Sequence, residues 1–111
     1  MVTLSSHLLN SVNGTHAKDV DIIIYQIKSN GEKKIFLETK TDSGGRLLKE
    51  FDLNDEDCKS EYEMICKTGN YFSEKKIVSE ITVKFKMPDP NKKYHIPIII
   101  SPNGYSIWWS D

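Results

Sequence analysis

Apolar and polar residues alternate along most of this 111-residue chain, which is the period-two pattern of half-buried β-strands. Strands are predicted over residues 2–12, 20–27, 34–39, 61–67, 80–87 and 94–100, and another short strand begins at Arg46. Turns rich in Gly, Asn, Pro and Ser separate these segments. Residues 54–60 predict a polar surface connection, whereas residues 71–76 predict one short helix. The regular spacing of about eight short strands predicts an all-β sandwich formed by a single domain.

The C-terminal segment predicts a β-hairpin, in which the strand of residues 94–100 turns back at the Ser-Pro-Asn-Gly sequence of residues 101–104. Because successive side chains of a strand point to opposite faces, one face is wholly apolar and belongs to the core: Tyr94, Ile96, Ile98 and Ile100. His95, Pro97 and Ile99 share the opposite face. Pro97 has no backbone N–H, so the strand is expected to lie near a sheet edge or to be irregular there. His95 lies beside an apolar surface and is the first candidate for chemistry.

The N-terminal strand places a second histidine away from the core. Its two faces carry Leu4, Ser6 and Leu8 on one side, and Ser5, His7, Leu9 and Ser11 on the other. An imidazole bonded to a neighbouring strand for structural reasons is the plainer interpretation of both His7 and His95. His16 follows the Asn13-Gly14 turn and is interpreted as a solvated loop residue.

Composition excludes several functional classes. The chain has 15 basic and 16 acidic residues and a net charge of −1, which is not the electrostatic footprint of a protein that binds nucleic acid or an anionic membrane. No apolar run approaches the ~20 residues of a membrane span. Cys58 and Cys66 match no common zinc spacing and are expected to be free thiols in a reducing compartment. The first residues do not have the form of a secretion signal, so we expect a cytoplasmic location, or a periplasmic one if a signal has been removed.

Four stretches of the sequence are distinctive. They read LSSHLLN at residues 4–10, TDSGGR at 41–46, KTGNYF at 67–72, and YHIPIIISP at 94–102 followed by GYS at 104–106. Together they resemble the 5-hydroxyisourate hydrolases, which are the transthyretin-related enzymes of urate breakdown. The resemblance extends over nearly the whole chain, and the segment around His95 is its most specific part.

The resemblance implies a transthyretin-like (prealbumin-like) sandwich of two four-stranded sheets with one short helix, in one domain over residues 1–111. It implies a homotetramer, built as a dimer of dimers, whose sites open into a channel between the dimers. The implied activity is hydrolysis of 5-hydroxyisourate to 2-oxo-4-hydroxy-4-carboxy-5-ureidoimidazoline, without a metal or other cofactor. The positions that match the catalytic residues of the family are His7, Arg46 and His95.

These three residue types suit the hydrolysis of a cyclic ureide, which needs a base to deprotonate water and a donor to stabilise the developing oxyanion. An imidazole titrates near neutral pH and can act as the base. The guanidinium of Arg46 would keep a neighbouring histidine neutral and would bind the planar substrate. Either His7 or His95 can be the base, and the sequence does not distinguish them.

The C-terminus departs from the family, whose chains usually end in Tyr-Arg-Gly-Ser. Here the last four residues are Trp-Trp-Ser-Asp. By strand alternation Ser106 and Trp108 share a face, so we expect Trp108 to replace the tyrosine in the channel. Ser106 and Trp108 would then bind substrate together with His7 and Arg46. A tryptophan donates one hydrogen bond and cannot act as a phenol does, so the pocket is expected to be more apolar.

Two other functions therefore remain open at this point. The chain could be a catalytically inactive relative that binds a planar aromatic ligand in the channel between dimers. It could also be an adhesive β-sandwich whose histidines and exposed tryptophans form an interface.

Overall fold

The computed structural model describes residues 1–72 and 77–109, which form two β-sheets packed face to face. The first sheet contains β1 (Val2–Asn10), β2 (Thr15–His16), β5 (Arg46–Phe51), β8 (Lys93–Ser101) and β9 (Gly104–Ile107). The second contains β3 (Asp21–Ile27), β4 (Lys33–Lys40), β6 (Glu61–Cys66) and β7 (Ile81–Lys86). Two short helices, α1 (Asp55–Lys59) and α2 (Thr68–Tyr71), connect strands. The predicted all-β sandwich is confirmed.

Strand β1 is the centre of the first sheet. On one side it pairs in parallel with β8, which in turn pairs antiparallel with β9. On its other side, β5 and β2 follow one another along the same edge, and both are antiparallel to β1. The second sheet is antiparallel throughout, in the order β4–β3–β6–β7. β1 therefore has neighbours on both sides along its whole length, which makes it the strand best placed to hold side chains in fixed positions.

Alternation along the strands produces the core between the sheets. The fully or almost fully buried side chains include Leu4, Leu8, Ile22, Ile24, Tyr62, Met64, Ile98 and Ile100. Burying each aliphatic side chain of this size stabilises the fold by roughly 1.5–3 kcal/mol. The opposite face of β1 and β8 is only half-buried, except at Pro97, which is buried, and at Lys93, which is exposed. This outer face is therefore available for chemistry.

Two connections are helical. Residues 54–60 form the predicted surface connection, within which Asp55–Lys59 are the helix α1, which has no buried residue and begins with a capping box. The side chain of Asn54 accepts the Asp57 backbone N–H at 2.9 Å, and the carboxylate of Asp57 accepts the Asn54 backbone N–H at 3.1 Å. The helix predicted at residues 71–76 falls partly on residues 73–76, which lie outside the described residues, and α2 ends at Tyr71.

The first sheet also has one strand more than expected, because Thr15 and His16 pair with the end of β1.

Cys58 and Cys66 are free thiols, as predicted, and burial raises the pKa of Cys66 to about 12. Within the described residues, neither helix has the length or the apolar character needed to cross a membrane.

The expectation that the strand lies near an edge or is irregular at Pro97 is confirmed in its second form, because β8 lies between β1 and β9 but β9 pairs only with residues 98–101. The proline is accommodated because β9 ends beside it. The Pro97 carbonyl accepts the backbone N–H of Trp108 at 3.4 Å, just beyond Ile107, the last residue of β9. The two polar groups of one strand residue point to the same side. The missing N–H of Pro97 therefore faces the place where the regular pairing with β9 has already stopped.

Candidate active site

The outer face of the first sheet brings the three predicted catalytic residues together. His7 on β1 lies directly opposite Arg46 on β5, and on its other side it is in register with Pro97 of β8. His95 is two residues before Pro97 and lies opposite Ser5 of β1. Side chains of paired residues project from the same face of a sheet. Strand register alone therefore places His7, Arg46 and His95 on one surface.

A hydrogen bond fixes the orientation of His95. The hydroxyl of Ser5 lies 2.7 Å from Nδ1 of His95, and both residues are half-buried. Because Nδ1 is engaged with Ser5, the nitrogen of His95 that remains for another partner is Nε2. Ser5 was placed on the face of His7 by the alternation of β1, but no pattern in the sequence pointed to its contact with His95.

His7 has a partner that the sequence did not reveal. Its Nε2 lies 2.9 Å from Nδ1 of His16, and the two rings stack with centroids 4.9 Å apart and an interplanar angle of 26°. His16 was interpreted as a solvated loop residue; it is exposed, but it belongs to β2, where it pairs with Leu9. The Asn13-Gly14 turn was the available signal, because such a turn folds the chain back along the strand that precedes it.

The turn before β5 positions Arg46. One carboxylate oxygen of Asp42 accepts the backbone N–H groups of Gly44 and Arg46, each at 2.9 Å. These bonds, the Arg46 N–H above all, lower the pKa of Asp42, so this carboxylate is ionised near neutral pH. Gly45 has φ of +72°, and its carbonyl accepts the backbone N–H of Leu8 at 2.8 Å. The turn therefore anchors the first residue of β5 to β1.

The surroundings of His7 favour its neutral form. Its pKa is lowered below the ordinary value of 6.5, first by burial, then by the positive charge of Arg46 and by His16, with a smaller effect of His95. A backbone hydrogen bond with Gly44 acts in the opposite direction. An imidazole with a lowered pKa keeps its lone pair near neutral pH, which is what a general base requires.

Ser106 and Trp108, the two predicted substrate contacts at the C-terminus, occupy different surroundings. Ser106 is exposed and pairs with Ile99, on the same outer face as His95. Trp108 instead borders a groove of about 250 Å³ between β7 and the end of β9. The groove is lined by Val83, Lys84, Phe85, Ile96, Ile107, Trp108 and Trp109. Its described lining does not include His7, Arg46 or His95.

The ring of Trp109 is held beside the core. It lies 5.4 Å from the ring of Tyr94, measured between centroids, and Nζ of Lys92 lies 5.4 Å from the centre of the indole. Even so, Trp108 and Trp109 remain 44% and 49% exposed. Two large apolar rings are thus displayed at the edge of the sandwich.

Known proteins similar to this chain agree with the fold. The 5-hydroxyisourate hydrolase of Salmonella dublin is 34% identical over 108 residues, which cover 95% of this chain and 78% of that protein. The structure of the Klebsiella pneumoniae 5-hydroxyisourate hydrolase has the same fold, with a TM-score of 0.80 and 22% identity over the full length of both chains. The fold also matches the crystal structure of (S)-allantoin synthase, with a TM-score of 0.83 and 23% identity; this chain spans 44% of that longer protein. Residues 4–109 match the profile of the HIUase/Transthyretin family. The chain therefore belongs to the HIUase/Transthyretin family.

Proposed function

We propose that this protein is a 5-hydroxyisourate hydrolase, which opens 5-hydroxyisourate to 2-oxo-4-hydroxy-4-carboxy-5-ureidoimidazoline in urate breakdown. The observation that carries the proposal is the cross-strand pair of His7 and Arg46 on the outer face of the first sheet. In this pair the guanidinium lies beside an imidazole whose pKa is lowered, first by burial and then by the positive charge of Arg46. The name of the Salmonella dublin relative gives the substrate class.

The proposed reaction begins with water. The hydrogen-bonded, neutral imidazole pair of His7 and His16 accepts a proton from water, and the resulting hydroxide attacks a carbonyl carbon of the cyclic substrate. Negative charge then develops on the carbonyl oxygen, and the guanidinium of Arg46 stabilises it. When the carbon–nitrogen bond breaks, the proton returns to the leaving nitrogen. His95, oriented by Ser5, provides a further hydrogen-bonding group at the same surface.

Substrate binding in this proposal uses His7, Arg46, Ser106 and Trp108. Arg46 offers a planar set of donors that matches the oxygen and nitrogen atoms of a purine-derived ring. Ser106 lies on the same face of the sheet as His95. The half-exposed indole of Trp108 offers a surface on which a planar ring can stack.

The assembly that we propose is a homotetramer, a dimer of dimers, in which residues 1–111 form one transthyretin-like domain. β7 and β9 are the end strands of their sheets, and the apolar groove with Trp108 and Trp109 lies between them. Exposed apolar rings of this size usually mark an interaction surface. Leu48, which is 65% exposed opposite Ser5, extends the apolar surface beside the catalytic residues. This supports a second contact across the channel.

The compartment that we propose is the cytoplasm. Support comes from Cys58 and Cys66, which are both free thiols, and from the burial that raises the pKa of Cys66. A reducing compartment maintains thiols in this state.

The test is a stopped-flow ultraviolet assay of freshly generated 5-hydroxyisourate, with wild-type protein, Arg46→Ala and Lys49→Ala. Lys49 is an exposed cation on the same strand and serves as the matched control. We expect wild-type protein and Lys49→Ala to accelerate the decay, and Arg46→Ala to lose most of the acceleration. A decay equal to that in buffer, with folded wild-type protein, would overturn the hydrolase and favour a protein that binds a planar aromatic ligand.

A further inference from the structure

The hydrogen bond between His7 and His16 constrains where the pair can accept a proton. An imidazole–imidazole hydrogen bond contains one N–H, so one ring donates and the other accepts. Nε2 of His7 and Nδ1 of His16 are used in this bond, at 2.9 Å. The free nitrogens are Nδ1 of His7 and Nε2 of His16. A neutral pair therefore presents one N–H and one lone pair at its two outer ends.

The backbone at Gly44 favours one of these two ends for the lone pair. Its hydrogen bond with the His7 ring acts to raise the pKa of His7, which is the effect of a carbonyl that accepts a proton from the ring. Nε2 is occupied by His16, so the nitrogen that donates to Gly44 is Nδ1. With its proton on Nδ1, neutral His7 accepts from the Nδ1–H of His16. The free lone pair of the neutral pair is then on Nε2 of His16.

We propose that His16 is a further catalytic residue, whose Nε2 is the proton-accepting end of a two-histidine relay with His7. This inference rests on the proposed hydrolase function and identifies the atom that performs its first step. His16 is exposed on β2, so its Nε2 is accessible to the attacking water. His7 is the second residue of the relay, because its Nε2 accepts the hydrogen bond from Nδ1 of His16.

The step is balanced in atoms and charge. An O–H bond of water breaks and an N–H bond forms at Nε2 of His16, which becomes positively charged, while the proton on Nδ1 of His16 stays in its hydrogen bond to Nε2 of His7. The hydroxide oxygen bonds to the substrate carbonyl carbon, so the negative charge passes to the carbonyl oxygen as the histidine pair gains one positive charge. When the carbon–nitrogen bond breaks, the relay runs in reverse and Nε2 of His16 returns the proton to the leaving nitrogen.

The charges around the pair explain why a second imidazole, that of His16, helps the pair to accept a proton. His7 faces Arg46 on β5 and His95 on β8, and the carboxylate of Asp42 in the preceding turn also interacts with it. A full positive charge on His7 alone would be repelled by Arg46. Because the proton first binds at His16, the pair can take up charge at the ring that does not lie opposite the guanidinium.

The competing explanation is that His16 only positions His7, and two substitutions separate the explanations. His16→Asn keeps an N–H donor for Nε2 of His7 but has no titratable nitrogen, whereas His16→Ala removes both. A relay predicts that kcat/KM falls by about 10²-fold in both variants, the contribution typical of general base catalysis. Positioning alone predicts that His16→Asn remains close to wild type. Val12→Ala, at an exposed residue of the same turn region, is the matched control and should change nothing.

A measurement that does not depend on activity is the ¹⁵N NMR spectrum of the histidine rings at alkaline pH, where the pair is neutral. The relay predicts a proton on Nδ1 in both His7 and His16, and in His16→Asn the signal of His7 should keep this tautomer. A proton on Nε2 of His16, or hydrolysis at the wild-type rate in His16→Asn, would overturn the relay while the hydrolase function stands. Wild-type protein that does not hydrolyse 5-hydroxyisourate would overturn the proposed function, and the catalytic role of His16 with it.

Discussion

Gly45 approaches Leu8 so closely that a Cβ on Gly45 would lie 2.6 Å from the Leu8 carbonyl oxygen. The same atom would lie 3.0 Å from the Ala17 backbone nitrogen and 3.1 Å from Cβ of His16. Leu8 accepts the Ala17 N–H and donates to the Gly45 carbonyl. Gly45 is therefore the point at which β2 and β5 meet on one edge of β1. It joins the two strands that supply His16 and Arg46.

We expect Gly45→Ala to lower the free energy of unfolding by roughly 2–4 kcal/mol, because backbone strain and a steric clash occur together. Gly14→Ala is the matched control, since Gly14 has the same φ of +72° but no atom within 4 Å of its added Cβ. Gly14→Ala should lower the free energy of unfolding by about 1 kcal/mol, because it introduces only the backbone strain. Urea denaturation of both variants measures the difference, and equal losses would show that the close approach at Gly45 is unimportant.

Arg46→Gln should lower kcat/KM by about 10²–10³-fold, because the donor for the oxyanion loses its charge. It should also shift the acid limb of the pH profile. Arg46 lowers the pKa of His7, so its removal raises that pKa, and the neutral base is then lost at higher pH.

Arg46→Lys is the control for this shift, since it keeps the charge but not the planar set of donors. Its acid limb should remain near that of wild type even though its activity falls. A profile of kcat/KM against pH for the three proteins makes the comparison. An acid limb that stays in place in Arg46→Gln would contradict the electrostatic role assigned to Arg46.

Ser5→Ala and Ser6→Ala should separate activity from stability at adjacent positions. Ser5 is half-buried and bonded to His95 at 2.7 Å, so its loss should lower kcat/KM by roughly five- to tenfold, equivalent to a hydrogen bond of about 1 kcal/mol. Ser6 is buried and donates to the Ile96 carbonyl at 2.6 Å, so its loss should destabilise the fold by about 1–3 kcal/mol without a comparable effect on kinetics. Steady-state kinetics and thermal unfolding test both effects. Wild-type kinetics in Ser5→Ala would remove Ser5 from the site.

Trp108→Glu should weaken the proposed tetramer, because it places a carboxylate in the apolar groove between β7 and β9. Ile77→Glu is the control, since Ile77 is 87% exposed and is not among the residues that line the groove. Size-exclusion chromatography with light scattering should show smaller species for Trp108→Glu alone. An unchanged tetramer in that variant would place the interface elsewhere.

The sandwich could be predicted because alternation encodes it directly. The two faces of β8 appear in the sequence as an apolar set and a set containing His95 and Pro97, and the core follows from the first set. Strand register is different. No local pattern states that His7 lies opposite Arg46, because pairing depends on residues far apart in the chain.

His16 escaped prediction for a related reason. A strand of two residues has no period, so β2 leaves no alternation to detect. The role of the residue comes from a bond to a side chain on the neighbouring strand. Pro97 is the opposite case: the local rule about its missing N–H predicts an edge or an irregularity, and the early end of β9 is that irregularity inside the sheet.

The parallel pairing of β1 with β8 has a consequence for biosynthesis. Ser5 and His95, which it brings into contact, are separated by 90 positions in the chain. Contacts between such distant segments form late and slow the folding of a protein. While the ribosome is still adding residues, one edge of β1 has no partner, and an open strand edge is prone to aggregation. The second histidine of the site can therefore join the first only after β8 has been synthesised, and a nascent chain that stops before β8 lacks a finished site.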